Sequence, residues 1–471
     1  MNAAAPAAAA GHAATAATPA PPLSTRMLRA AGWLVGSNLG AQALRLGSNL
    51  VLTRLLAPEA FGLVAVVNTL YFGLVMFSDL GIWQSIVTHP RGQDARFLGT
   101  AFSVQLVRAA LLAVIVLGVA LAVGGAAGAG WMPADSVYAD PRLPWMIAAF
   151  ALCALLQGAE SMRLALAQRE LRGRELARLE LGAQIVAAAV TIVLATVTRS
   201  VAALVAGALA GAAARTLLSH VALPGPVVRP CWDRASLREL VGFGQWVFVS
   251  SIVGFLAAHG EKLILGALLV PASFGQYAIA ALLVAAVAGL YGSLNGHVVF
   301  ASMSQALRSD PAALRALYAR VQRVADLALG GVAGLLAVAG HWIVWLLYDA
   351  RYQGAGAVLQ ALGLGLVAMR HQVVEQVMFA MGQPARVSAN NLLRAAALVV
   401  LVPAGHAVAG ERGAVAGVVI AQFAAWPASL HFKHRQGLLS WDTERAWMVA
   451  LVIGLGLGAV VDVALHHALG R

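Results

Sequence analysis

Six basic side chains fall inside long apolar runs, where a charge is expensive and needs a reason. They are Arg45, Arg108, Arg215, Lys262, Arg370 and Arg394. Placing such a cation near a bilayer centre costs roughly 2.5–3.5 kcal/mol on insertion scales, so each must face protein or water. Arg45 belongs to a stripe with Asn38, Gln42 and Asn49. Steps of four, three and four residues put all of them on one face of a helix. Amides in such a stripe either line a polar cavity or join helices by hydrogen bonds. The arginine among them favours the cavity, and guanidinium groups there suit an anionic ligand. Arg108 has Gln105 one turn before it, and Arg394 has Asn390 and Asn391. Arg215 sits close enough to a helix end to snorkel to the interface.

The acids expected to be buried are fewer: Asp79, Glu261, Asp326 and Glu375. Asp79, Glu261 and Glu375 have two readings, as ion-coupling groups or as internal counter-ions to the arginines. Lys262 adjoins Glu261 as a self-neutralising pair, and His371 and Glu375 are spaced to pair at i,i+4. The remaining histidines form no metal pattern. No nucleotide loop and no Ser/His/Asp set appears in a supporting context. No cofactor, metal or catalytic residue is expected, and ATP is not expected to drive the chain directly.

The elements that must hold these groups follow from composition. Apolar residues make up 60% of the 471 positions and charged residues 11%. A soluble surface needs about 25% charged residues. Thirteen apolar runs are long enough to span hydrocarbon, the first at about 30–53 and the last at about 446–468. The expected protein is therefore an all-α integral membrane protein. With the N-terminus in the cytoplasm, 20 of the 32 basic residues fall in cytoplasmic gaps, 6 in outer gaps and the C-terminus, and 6 in spans. The positive-inside rule accepts that orientation and rejects its reverse. The net charge of +12 is thereby read as topology, and nucleic acid is not an expected partner.

A shift of 213 residues lays Trp33 on Trp246, Leu50 on Leu263, Pro58 on Pro271, Phe61 on Phe274 and Gly62 on Gly275. Six spans separate the copies, so both enter the membrane in the same direction. Two parallel six-helix lobes follow, with the substrate site at their interface. The expected division is a disordered Ala/Pro-rich tail over 1–29, an N-lobe over 30–222 and a cytoplasmic linker over 223–240. A C-lobe over 241–432 follows, then a loop and extra span over 433–471.

The phrase Leu52-Thr53-Arg54-Leu55-Leu56-Ala57-Pro58-Glu59-Ala60-Phe61-Gly62 resembles the first hairpin of Wzx-type oligosaccharide flippases. These are polysaccharide biosynthesis proteins of the multidrug/oligosaccharidyl-lipid/polysaccharide (MOP) exporter superfamily. Asp79-Leu80-Gly81, Glu261-Lys262-Leu263-Ile264-Leu265-Gly266 and Phe274-Gly275-Gln276-Tyr277 resemble it too. The resemblance covers the spans through about residue 432. It implies two six-helix lobes that move polyprenyl-pyrophosphate-linked oligosaccharide across the bacterial inner membrane for surface polysaccharide synthesis. Partners would be that anionic lipid-linked substrate, membrane lipids, and the polymerase and chain-length machinery. The expected mechanism is alternating access through a basic central cavity. Arg45, Asn38, Gln42, Asn49, Arg108, Lys262, Arg370 and Arg394 are the candidate contacts. A cation-coupled drug or metabolite exporter is the alternative, although it would favour an acidic cavity. A membrane-embedded polymerase or ligase would be expected to carry a large periplasmic loop, and the longest outer gap here is short.

Overall fold

The structure is a computed structural model that describes residues 23–79, 81–170, 172–309 and 311–469. Of the tail expected over 1–29, residues 1–22 lie outside the described residues, as do the last two of the chain. Residues 23–29 are corrected to helix, because past the last proline of the tail nothing breaks the start of α1. Helices α1 (Leu23–Leu55), α2 (Pro58–Phe77), α3 (Ile82–Thr88) and α4 (Ala95–Gly128) open the first lobe. It continues with α5 (Leu143–Gly158), α6 (Arg163–Arg169), α7 (Gly173–Thr198) and α8 (Ala202–Val221). The second lobe has α9 (Arg234–Leu268), α10 (Pro271–Leu294), α11 (Phe300–Ser309) and α12 (Pro311–Leu347). Then come α13 (Ala355–Gly365), α14 (Gln372–Ala380), α15 (Pro384–Gln422), α16 (Trp426–Arg435) and the extra helix α17 (Trp441–Leu469).

The same breaks recur in both lobes. The second span divides into α2 and α3, and its counterpart into α10 and α11 around a π turn, Asn295–Val299. The fourth span bends by 60° between α5 and α6. Its counterpart loosens to a 3₁₀ stretch, Leu366–His371, between α13 and α14. Short 3₁₀ turns at Val137–Ala139 and Ala350–Tyr352 stand at matching places. Local chemistry sets these ends. Pro58 and Pro271 open α2 and α10, where the missing N–H costs nothing. The Asp233 carboxylate accepts from the Ser236 amide at 2.8 Å and caps α9. That cap takes the end of the expected linker into the helix.

A β-carbon on Gly62 would lie 2.6 Å from the Pro271 carbonyl oxygen, and one on Gly275 1.9 Å from that of Pro58. Each copy of the phrase touches the other reciprocally, as a two-fold requires. The lobes are thus a parallel pseudo-symmetric pair.

Among the described residues nine helices are long and apolar enough to cross a membrane, or ten if the bent α5–α6 pair is one span. The protein is a multi-pass membrane protein. Leu111, Val114 and Leu121 on α4 and Val452, Ile453 and Val460 on α17 point outward, as lipid-facing positions do. Within α15 the chain reverses at Ala409 and Gly410, the latter at φ 59° and ψ −141°. Only glycine takes that conformation readily. The expected runs 387–408 and 413–432 become two antiparallel helices whose backbones touch at Gly405 and Gly413.

The side chain of Arg54, at the end of α1, donates to the Leu347 carbonyl at the end of α12. We call the side on which both helices end the far face and the other the near face. Helix α17 runs parallel to α12, with Gly334 against Leu451 and Gly458 against Val338. It therefore also ends on the far face. Small residues let these backbones approach closely. Gly334→Ala would place its methyl 2.3 Å from the Leu451 carbonyl oxygen. We expect it to lower stability by about 1–3 kcal/mol, as overpacking does. Gly331→Ala, three residues earlier on α12 and with open space for its methyl, should leave the unfolding midpoint in detergent unchanged.

Candidate functional site

Broken helices bring the polar side chains to the interior. At the α2–α3 break Gly81 adopts φ 62°. The Gly81 amide donates to Asp79 Oδ1 at 2.9 Å, and Arg108 of α4 donates to the same oxygen at 3.4 Å. At the α5–α6 break Gln105 donates to the Gly158 and Glu160 carbonyls at 2.8 and 3.1 Å. Freed backbone acceptors are thereby satisfied without water. The break leaves the Glu160 carboxylate buried and accepting from Arg215 Nε at 2.8 Å. Arg215 also donates to Glu180. The expectation that Arg215 snorkels outward is corrected by these two carboxylates, which turn it inward.

These groups line a cavity of about 740 Å³ in the first lobe, with Tyr71, Trp83, Gln157 and Gln168. The hydroxyl of Tyr71 is buried there without a partner. A second cavity, of about 570 Å³, lies between the lobes. Leu39, Gln42 and Arg45 of α1 form one wall, Glu180 and Gln184 of α7 another, and Gly289, Leu290 and Leu294 of α10 a third. Arg45 is exposed and, among the described residues, forms no ion pair.

The other expected groups are placed elsewhere. The side chain of Asn38 lies outside the described residues. Asn49 accepts from Tyr348 Oη at 3.4 Å, next to the far-face contacts. Arg394 pairs with Glu375 at 2.7 Å. The expected His371–Glu375 pair therefore does not form, because the guanidinium, always charged, takes the carboxylate. His371 lies instead against Trp426, its ring nitrogens without partners. Glu261 is buried with Oε2 unpartnered, and no ion pair joins it to Lys262.

Arg370 is 1% exposed and holds Asp326 through two bonds of 2.7 and 2.9 Å and Glu444 through one of 2.6 Å. Lys433 closes the set on Glu444 at 2.6 Å. This buried network balances two cations with two acids and ties α12, α16 and α17 to the 3₁₀ stretch. The four arginines expected around one chamber are thus dispersed, and in the first-lobe cavity Asp79 and Glu160 match Arg108 and Arg215.

Towards the far face the gap between lobes is shut. Tyr352 donates to the Leu56 carbonyl at 2.8 Å, Arg351 to that of Thr53 at 3.0 Å, and Tyr138 to that of Leu263 at 3.1 Å. Asp349 orients Arg351, and that hydrogen bond holds the Asp349 carboxyl below the usual carboxylate range.

The profile of polysaccharide biosynthesis proteins matches residues 51–357, from within α1 to within α13. The chain belongs to the polysaccharide biosynthesis protein family. No curated protein matches the chain. Among solved structures the fold is similar to that of the lipid II flippase MurJ in an inward closed conformation, at TM-score 0.64 and 11% identity over 92% of this chain and 99% of that one. It is also similar to an inward-facing multidrug resistance MATE transporter of the MOP superfamily, at TM-score 0.60 and 14% identity over 90% and 96%. A MOP superfamily transporter from Pyrococcus furiosus follows at TM-score 0.56 and 14% identity over 88% and 98%. The family match takes in both copies of the hairpin phrase and both halves of the seal.

Reading the sequence by runs missed Glu160, Glu180, Tyr71 and the sealing pair Tyr138 and Tyr352. The glycine at 158, just before Glu160 near the end of an apolar run, was the available signal for an inward-facing acid at a break.

Proposed function

We propose that the protein is a non-enzymatic flippase for polyprenyl-pyrophosphate-linked oligosaccharide. It would work by alternating access in the bacterial inner membrane, from the cytoplasmic to the periplasmic leaflet. One observation carries this reading. Arg45, paired with no acid among the described residues, stands at the boundary between the polar wall of the inter-lobe cavity, where Glu180 is already held by Arg215, and the apolar residues Leu39, Leu290 and Leu294. A pyrophosphate joined to a lipid tail needs that boundary: a guanidinium for the anion and an apolar slot for the chain.

In this reading the near face is cytoplasmic, in keeping with the basic loops around Arg91, Arg169 and Arg315. The seal at the far face blocks the outside while the headgroup loads. Asp79 and Glu375 serve as counter-ions to Arg108 and Arg394. A membrane potential, worth about 2.3 kcal/mol per charge per 100 mV, drives the anionic headgroup outward. The inward closed MurJ and inward-facing MATE folds support a carrier with two alternating states.

The test is flipping of a fluorescent polyprenyl-pyrophosphate disaccharide in proteoliposomes. Arg45→Ala should slow it about tenfold or more, the effect of losing one charge-assisted contact. Arg45→Lys should recover part of the rate, since it keeps the charge and loses the fork. A normal rate in Arg45→Ala would overturn the reading.

A further inference from the structure

We infer that the first-lobe cavity receives the glycan of the lipid-linked substrate and discriminates against glycans that carry negative charge. The inference rests on the flippase reading and deepens it. The pyrophosphate lies covalently between tail and sugars, so a headgroup held at Arg45 must direct its sugars away from the apolar gap. Arg215 marks the way. It lines the first-lobe cavity and bonds Glu180, which lines the inter-lobe cavity with Arg45.

The chemistry beyond that point suits an uncharged polyol. Gln157 and Gln168 offer amides, Trp83 offers an aromatic ring, and the buried Tyr71 hydroxyl has no partner among the described residues. Few precisely placed polar groups among apolar walls are how such cavities fix a neutral ligand.

An acidic sugar meets a different situation. Arg108 already faces Asp79 at 3.4 Å, and Arg215 already faces Glu160 at 2.8 Å and also Glu180. Among the described residues of this cavity no cation is left for a uronate, while the Asp79 and Glu160 carboxylates line it and Glu180 stands behind Arg215. A partly desolvated anion without a partner is unfavourable, and like charges add to that. Such repulsive elements are how sites reject a competitor of nearly identical shape. A merely structural role for these pairs predicts no such discrimination, because it concerns the fold and not the ligand.

The experiment compares two probes in proteoliposomes: a polyprenyl-pyrophosphate neutral trisaccharide, and the same compound with its last hexose oxidised to the uronic acid. The wild-type protein should flip the neutral probe about tenfold faster or more, equivalent to about 1.4 kcal/mol of selectivity. Asp79→Asn keeps an oxygen for the Gly81 amide and leaves Arg108 uncompensated. The ratio should then fall about fivefold or more by gain of the acidic probe, following the same energy scale. Similar wild-type rates for both probes would refute the discrimination and leave the flippase reading intact. An unchanged ratio in Asp79→Asn, with both rates lowered alike, would refute it in favour of a structural pair. Failure of the folded wild-type protein to flip either probe would defeat both readings.

Discussion

Arg370→Ala is expected to remove most of the folded protein from the membrane. Its guanidinium holds Asp326, which is fully buried, and Glu444, which is nearly so. Without it the two acids share Lys433 alone, and one buried carboxylate is uncompensated. Breaking a buried pair in this way costs about 3–5 kcal/mol. Whole domains are stable by only about 5–15 kcal/mol. Membrane abundance should therefore fall several-fold, and the unfolding midpoint in detergent should drop. Arg370→Lys should rescue poorly, because one ammonium cannot reproduce the paired bonds to Asp326 and the bond to Glu444. The double change Arg370→Met with Asp326→Leu removes one charge of each sign and leaves Glu444 with Lys433. It should restore abundance. Normal abundance and midpoint in Arg370→Ala would show that the network does not support the fold.

Gly275→Leu is expected to abolish transport by a different route, with the protein still present. Its β-carbon would fall 1.9 Å from the Pro58 carbonyl oxygen and 2.5 Å from the carbonyl carbon. Both are backbone atoms, so no side chain can swing aside. The lobes must separate at the far face, and the bonds made by Tyr352, Arg351 and Tyr138 must lengthen with them. A carrier that cannot close one side cannot alternate, and flipping should fall to background. The readout of cause is exposure. Thr53 is fully buried beside Arg351. In a protein with Cys153 and Cys231 replaced by serine, Thr53→Cys should resist a membrane-impermeant thiol reagent. Adding Gly275→Leu should make it react. Gly62→Leu should behave alike, because the two glycines exchange places about the pseudo-two-fold. A transporting Gly275→Leu protein with Thr53→Cys still unreactive would dispose of the seal.

The membrane nature, the repeat and the hairpin phrase were legible from residues alone. Each depends on local chemistry. A run of apolar residues needs lipid whatever its neighbours do, and Pro58 or Gly62 shapes the chain where it stands. The same 213-residue register that aligns Pro58 with Pro271 reappears as their glycine contacts. The roles of the buried cations were not legible in this way. Arg45, Arg108, Arg370 and Arg394 look alike as charges in apolar runs. What separates them is which carboxylate lies opposite, and those partners are remote in the chain: Asp326 is 44 residues from Arg370, Glu444 is 74 residues from it, and Glu160 is 55 residues from Arg215. An ion pair depends steeply on distance in a low dielectric. Only the packing of the lobes sets that distance, and among the described residues it leaves Arg45 without an ion-pair partner in the inter-lobe cavity.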